Sequence, residues 1–162
     1  MDNALVVYDS VFGNTKLVAQ AMADAISEEM SVELLPVQDV KNSDLQGLNL
    51  LIVGSPTRQF RATPATIAWI KSLAPSALNG VNAAAFDTRI PEEQLKSNKA
   101  LNFFSWMIAY GADPISKNLL KKGAHIIAAP QGFYVKDTEG PLVDGELKRA
   151  GQWAYSLINK IK

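Results

Sequence analysis

The chain has 162 residues, enough for a domain that buries roughly two-thirds of its unfolded surface. It is 48% apolar and 20% charged, a globular composition, and its 16 basic residues balance 16 acidic ones, which argues against a broad nucleic-acid surface. There is no cysteine, which excludes disulfides, thiolate zinc sites, cysteine-ligated iron–sulfur clusters and a cysteine nucleophile.

The first element is an apolar run, Ala4-Leu5-Val6-Val7-Tyr8, that reads as a buried strand. Because acidic Asp2 leads straight into it, no signal-peptide pattern is visible, and no apolar run is long enough to span a membrane, so the cytoplasm is the expected location. Next comes Ser10-Val11-Phe12-Gly13-Asn14-Thr15, followed by Leu17, Val18, Ala21, Met22, Ala25 and Ile26 at helical spacing. A short loop that leaves a buried strand and opens a helix aims unpaired backbone N–H groups at one point, and the helix dipole adds partial positive charge there. Such a turn is an anion site. Gly13 lets the backbone approach closely, and the hydroxyls of Ser10 and Thr15 can donate to phosphate oxygens.

Further along, Val32-Glu33-Leu34-Leu35-Pro36 alternates as a second strand, and 37–47 is a polar connection. Leu48-Asn49-Leu50-Leu51-Ile52-Val53-Gly54 is nearly continuous in apolar residues, as a central parallel strand should be. The loop over 55–62 ends at Thr63, an expected N-cap, and Pro64 starts a helix to about Leu73 that buries Ile67 and Ile70. A fourth strand is expected over 81–86, a long loop over 87–98, and a helix over 99–110 stopped by Gly111. Asp113-Pro114 should cap a short helix ending at Gly123. The fifth strand spans 124–129 and continues through Phe133-Tyr134-Val135, with a bulge at Pro130-Gln131-Gly132. Asp144 opens a last helix whose apolar stripe holds Leu147, Ala150, Gly151, Ala154, Leu157, Ile158 and Ile161.

No repeat or linker divides the chain, so a single domain over 1–162 is expected. Strands alternating with helices make a doubly wound α/β/α sandwich around a parallel sheet. His125, the only histidine, starts a strand and therefore falls at the edge opposite any ligand crevice, which leaves no Ser–His–Asp triad.

The segment Tyr8-Asp9-Ser10-Val11-Phe12-Gly13-Asn14-Thr15 resembles the phosphate loop of the flavodoxins, with Phe12 replacing the usual middle hydroxyl. The ending, Glu139-Gly140-Pro141-Leu142 with Gly145-Glu146-Leu147 and Trp153-Ala154, is similar to that of short flavodoxin-like proteins. The resemblance implies a flavodoxin-like fold, with a five-stranded parallel sheet in the order 2-1-3-4-5, and FMN as cofactor. It implies an electron carrier, in preference to a small FMN-dependent oxidoreductase acting on a diffusible acceptor. The partner would be a redox protein or a small electron acceptor, without nucleic acid or membrane insertion, for a monomer or homodimer.

Carried over residue by residue, the resemblance assigns the phosphate to Ser10, Val11, Phe12, Gly13, Asn14 and Thr15. Pro56 and Thr57 match a Pro-Thr stretch of flavodoxin-like FMN proteins; Arg58, Gln59 and Phe60 follow, with Phe60 as one side of the ring slot. Asp87, Thr88 and Arg89 would hydrogen-bond the pyrimidine edge, since 87–98 holds no aromatic residue. No catalytic side chain and no metal site is expected. Arg58, Arg61 and Arg89 fall in the two loops expected around the ring, where positive charge would stabilise anionic reduced flavin and attract an anionic partner or substrate. The rival reading is a non-catalytic module on the same fold that has lost FMN and binds a protein or another phosphate-bearing ligand. Phe12, the missing third-loop aromatic and the zero net charge, in a family that is usually acidic, point towards it.

Overall fold

Two adjacent strands carry the centre of the molecule. Leu5, Val6 and Val7 in one and Leu50, Leu51, Ile52 and Val53 in the other have no exposed surface, as strands covered on both faces require. The computed structural model describes residues 1–59, 61–96 and 110–162. The expectation for Phe60 and residues 99–109 of the helix expected over 99–110 lie outside those residues; Tyr110 itself is not helical.

The described elements are β1 (Asn3–Tyr8), α1 (Asn14–Ile26), β2 (Ser31–Pro36), β3 (Leu48–Pro56), α2 (Pro64–Ser72), β4 (Asn82–Arg89) and α3 (Glu92–Lys96). They continue with α4 (Ala112–Lys121), β5 (His125–Ile126), β6 (Gln131–Tyr134) and α5 (Glu146–Ile161). The strands pair in parallel in the order β2-β1-β3-β4-β5, and β6 also pairs with β4. This is the flavodoxin-like α/β arrangement that the sequence predicts. Alternate residues of each strand enter different layers. Ala4, Val6, Ile52 and Phe86 pack under α1 and α5, while Leu5, Val7, Leu51 and Val53 pack under α2 and α4.

Several boundaries differ from expectation. Strand β4 runs to Arg89, because Asp87 and Thr88 keep ladder partners on both sides, Ser55 and Pro56 on β3 and Gly132 and Phe133 on β6. The edge strand is broken where a bulge was expected: His125 and Ile126 pair with the start of β4, and 131–134 with its end. Thr63 precedes α2 but its hydroxyl pairs with that of Thr66 at 2.9 Å and caps no backbone N–H. Helix α4 opens at Ala112, so Asp113 lies inside its first turn. Ile67 is only half-buried, and Leu147 is 43% exposed, outside the buried stripe of Ala150, Ala154, Leu157 and Ile158.

The second half of the edge strand is held to α5 by a charged cluster. Glu146 accepts the Tyr134 N–H at 2.7 Å and pairs with Arg149 at 2.5 Å, and Arg149 donates to the Gly132 carbonyl at 2.6 Å. Burial would raise the Glu146 carboxyl, but the Arg149 hydrogen bond and the Tyr134 N–H outweigh it and hold it below the usual glutamate value. A lowered carboxyl stabilises the fold fully above its unfolded value and loses that contribution in acid. Glu146→Gln should therefore cost about 1–3 kcal/mol in urea unfolding at neutral pH. The gap from wild type should close as the pH falls below about 4; a gap independent of pH would refute this role.

Candidate functional site

The carboxyl edge of the sheet collects three groups of residues around one cavity. The first is the opening of α1. Gly13, at φ 94°, turns the chain from β1 into the helix in the left-handed region, where an L side chain is strained. Ser10 Oγ accepts the N–H of Gly13 at 3.1 Å and that of Lys16 at 3.4 Å, which leaves its hydroxyl hydrogen to donate outward. Among the described residues, the N–H groups of Phe12, Asn14 and Thr15 have no acceptor. Thr15 is buried, with its hydroxyl 2.8 Å from that of Thr88 at the end of β4.

The second group follows β3. Ser55 is buried and accepts the Thr63 N–H at 2.9 Å, fixing the loop ends together. The Thr57 N–H reaches the Thr88 carbonyl at 2.8 Å, and Thr57 Oγ1 accepts the Gly111 N–H at 2.9 Å. Arg58 lies with its guanidinium 5.6 Å from the Phe12 ring centroid, joining the first loop to the second.

The third group departs most from expectation. Asp87 has no exposed surface: its two oxygens take Arg89 Nε at 2.5 Å and Nη2 at 2.7 Å, and the Ala112 N–H adds a bond at 2.9 Å. Burial pushes this carboxyl up, against the pull of Arg89 and the Ala112 N–H. The guanidinium of Arg89 stacks on Tyr110, 3.6 Å from the ring centroid, and Gly132 leaves room for it, since a Cβ there would come within 2.4 Å of Arg89 Nε. The Tyr110 hydroxyl donates to Glu92 Oε1 at 2.6 Å. Burial, and then the Glu92 hydrogen bond, raise its pKa above the usual phenol value.

These groups enclose a cavity of about 290 Å³. Its walls are Ser10, Val11, Phe12, Asn14 and Thr15; Pro56, Thr57, Arg58 and Gln59; and Thr88, Arg89, Ile90, Leu95, Tyr110, Val135 and Thr138. Nearly all of the residues singled out in the sequence therefore meet in one place. Asp87 does not: it turns away to Arg89 and Ala112, so it presents no hydrogen bond to the cavity. Arg61 is likewise off the wall, and the Thr88 hydroxyl is engaged with Thr15. The charge of Arg89 is countered by Asp87, which removes it from the expected positive field. Ile90, Leu95, Tyr110, Val135 and Thr138 were not anticipated. Strand β4 ends at the ligand edge and α4 starts there, its Ala112 N–H on Asp87, so a search that took in the residues just before α4, unlike one of 87–98 alone, would have included Tyr110.

Residues 5–123 match the family model described as the flavodoxin domain. The chain belongs to the flavodoxin family. Solved structures agree in fold: a flavodoxin from the domain Archaea is 20% identical, covers 98% of this chain and 98% of its own, and superposes with a TM-score of 0.77. Oxidised flavodoxin 1 from Bacillus cereus is 16% identical over 98% of both chains, with a TM-score of 0.72. Rubredoxin oxygen:oxidoreductase from Desulfovibrio gigas is 20% identical over 99% of this chain and 37% of its own, at 0.68. No curated protein sequence matches significantly. Flavodoxins bind a flavin and transfer electrons to partner proteins, which makes this chain an electron-transfer flavoprotein. Among the described residues no helix is long and apolar enough to cross a membrane.

Removing one member of the Asp87–Arg89 pair leaves the other buried and unpaired. Arg89→Leu should lower unfolding free energy by about 3–5 kcal/mol at neutral pH. The deficit should shrink as the pH drops towards about 3.9, where Asp87 protonates in the unfolded chain as well. Equal deficits at both pH values would show that the cost is lost packing, not a stranded charge.

Proposed function

We propose that this flavodoxin binds FMN in the cavity and works as a single-domain electron carrier. The observation that carries the reading is the opening of α1, where the Phe12, Asn14 and Thr15 N–H groups lack acceptors among the described residues beside a left-handed Gly13. A phosphate monoester satisfies those donors and gains from the positive helix end, while Ser10 adds its hydroxyl hydrogen. The adjoining walls suit a flat aromatic ring: Pro56, Ile90, Leu95 and Val135 are apolar, with Val11 and Phe12 at the edge of the cavity. Tyr110 supplies the stacking surface that 87–98 lacks, and Arg89 and Asp87 fix it from behind.

FMN, when bound, supplies reversible one- and two-electron chemistry; the chain's own part is to hold, orient and shield it. Nothing in the described lining is arranged as an acid–base couple. The Tyr110 hydroxyl is tied to Glu92, and Arg89 to Asp87, so neither is free to move a proton to a substrate. This supports a carrier over a dedicated enzyme. Phe12, which pointed towards a module without flavin, stands on the cavity wall with 46% of its surface exposed and leaves the cavity open.

Titration of FMN fluorescence tests the reading, with riboflavin, which lacks the phosphate, as comparison. Quenching should saturate at one FMN per chain, and riboflavin should bind more weakly. Gly13→Ala, which strains the turn beneath the phosphate, should weaken FMN roughly tenfold, equivalent to about 1.4 kcal/mol, and change riboflavin little. No quenching at high micromolar FMN would overturn the proposal.

A further inference from the structure

Arg58 and Arg61 stand directly opposite each other in a tight antiparallel turn, exchanging backbone hydrogen bonds at 2.8 and 2.9 Å. Like charges facing each other in this way repel. Gln59, which follows Arg58, sits at φ 48°, a region that non-glycine residues seldom occupy. Both arginines are exposed, as is Lys16 on the first turn of α1, and none of the three has an ion-pair partner among the described residues. Beside them Val11 and Phe12 each leave 46% of their surface in solvent. The mouth also carries carboxylates: Glu92 and Glu93 open α3, and Asp137 and Glu139 flank the wall residue Thr138, where Asn14 Nδ2 donates to the Glu139 carbonyl at 3.1 Å beside the first loop. The mouth thus carries both signs, and its exposed apolar surface adjoins a cation, since the Arg58 guanidinium lies 5.6 Å from the Phe12 ring centroid.

We propose that this lip docks the acidic face of a redox partner protein, with Val11 and Phe12 forming the contact centre and Arg58, Arg61 and Lys16 the charged rim. The proposal rests on the flavin reading above. An acidic patch gives Arg58, Arg61 and Lys16 the counter-charges they lack among the described residues; a basic partner adds like charge, and an uncharged small acceptor does neither. Aromatic and arginine side chains together are what protein interfaces concentrate at their centres. Because the chain's formal net charge is zero, steering comes from this local field and not from the molecule as a whole.

Two forms of one probe protein separate the possibilities: cytochrome c, whose surface is basic, and succinylated cytochrome c, whose lysines carry carboxylates instead. FMN-loaded protein is reduced with a stoichiometric amount of dithionite and mixed with either form. Each reduced flavin gives one electron to each of two ferric haems, which become ferrous, and the protons it took up on reduction return to water. At about 10 mM ionic strength the succinylated form should be reduced roughly tenfold faster, an advantage that vanishes near 0.5 M or so as salt screens the lip. Arg61→Glu should erase that advantage. Lys121→Glu makes the same charge change at the end of α4, on the opposite edge of the sheet, and should preserve it. Faster reduction of the basic form, or identical behaviour of the two variants, overturns the docking proposal alone. A chain that takes up no FMN overturns the flavin reading and this proposal with it.

Discussion

The buried carboxylate of Asp87 is the constraint around which the ligand edge is assembled. A charge with no exposed surface is tolerable only when hydrogen bonds and an opposite charge replace the water it has lost. That need brings Arg89 back along its own strand, draws the Ala112 N–H to the same carboxylate and so sets where α4 begins. It also obliges the neighbouring strand to carry Gly132, since any side chain there would occupy the space of the guanidinium. Tyr110 then lies across the face of that guanidinium. One ion pair thus links β4, β6, the start of α4 and a wall of the cavity.

A second, uncharged bond does similar service across the crevice. The Thr15 and Thr88 hydroxyls meet at 2.8 Å in the interior, tying the first turn of α1 to the end of β4. The Thr57 N–H reaches the Thr88 carbonyl, and the Thr57 hydroxyl oxygen takes the Gly111 N–H. The three loops are therefore braced against one another by the hydroxyls of Thr15, Thr57 and Thr88. What they leave for a ligand is the first loop's backbone N–H groups that lack acceptors among the described residues, the outward hydroxyl hydrogens of Ser10 and Thr57 and an apolar wall, a combination that suits a phosphate-bearing aromatic cofactor.

Much of this architecture is legible in the residues. The unbroken apolar runs of β1 and β3 declare strands covered on both faces, and the order of strands and helices then leaves few arrangements open. The turn over 10–15 announces its anion-binding geometry through Gly13 and its flanking hydroxyls. The end of β4 is harder to read, because Asp87, Thr88 and Arg89 look like loop residues when judged by polarity. Only tertiary partners make a strand of them: β3 on one side, β6 on the other, and an amide from α4 for the Asp87 carboxylate. Tyr110 is hidden for a related reason: its neighbours in sequence give it a helical setting, whereas its position is decided by a cation from another element. Local pattern reports periodicity and turn chemistry; it does not report which buried charge a distant segment will answer.

The interrupted edge strand has a dynamic consequence. β5 is two residues long, whereas β6 is anchored independently through Glu146 and Arg149 to α5, the longest described helix. Fraying that starts at His125 therefore has fewer ladder bonds to break than fraying that starts in 131–134, although Lys160 Nζ on α5 also donates to the Ile127 carbonyl at 3.1 Å. Val135 and Thr138 stand on the better-held side of the break, so that wall of the cavity is seated on the half of the edge that Glu146 and Arg149 anchor.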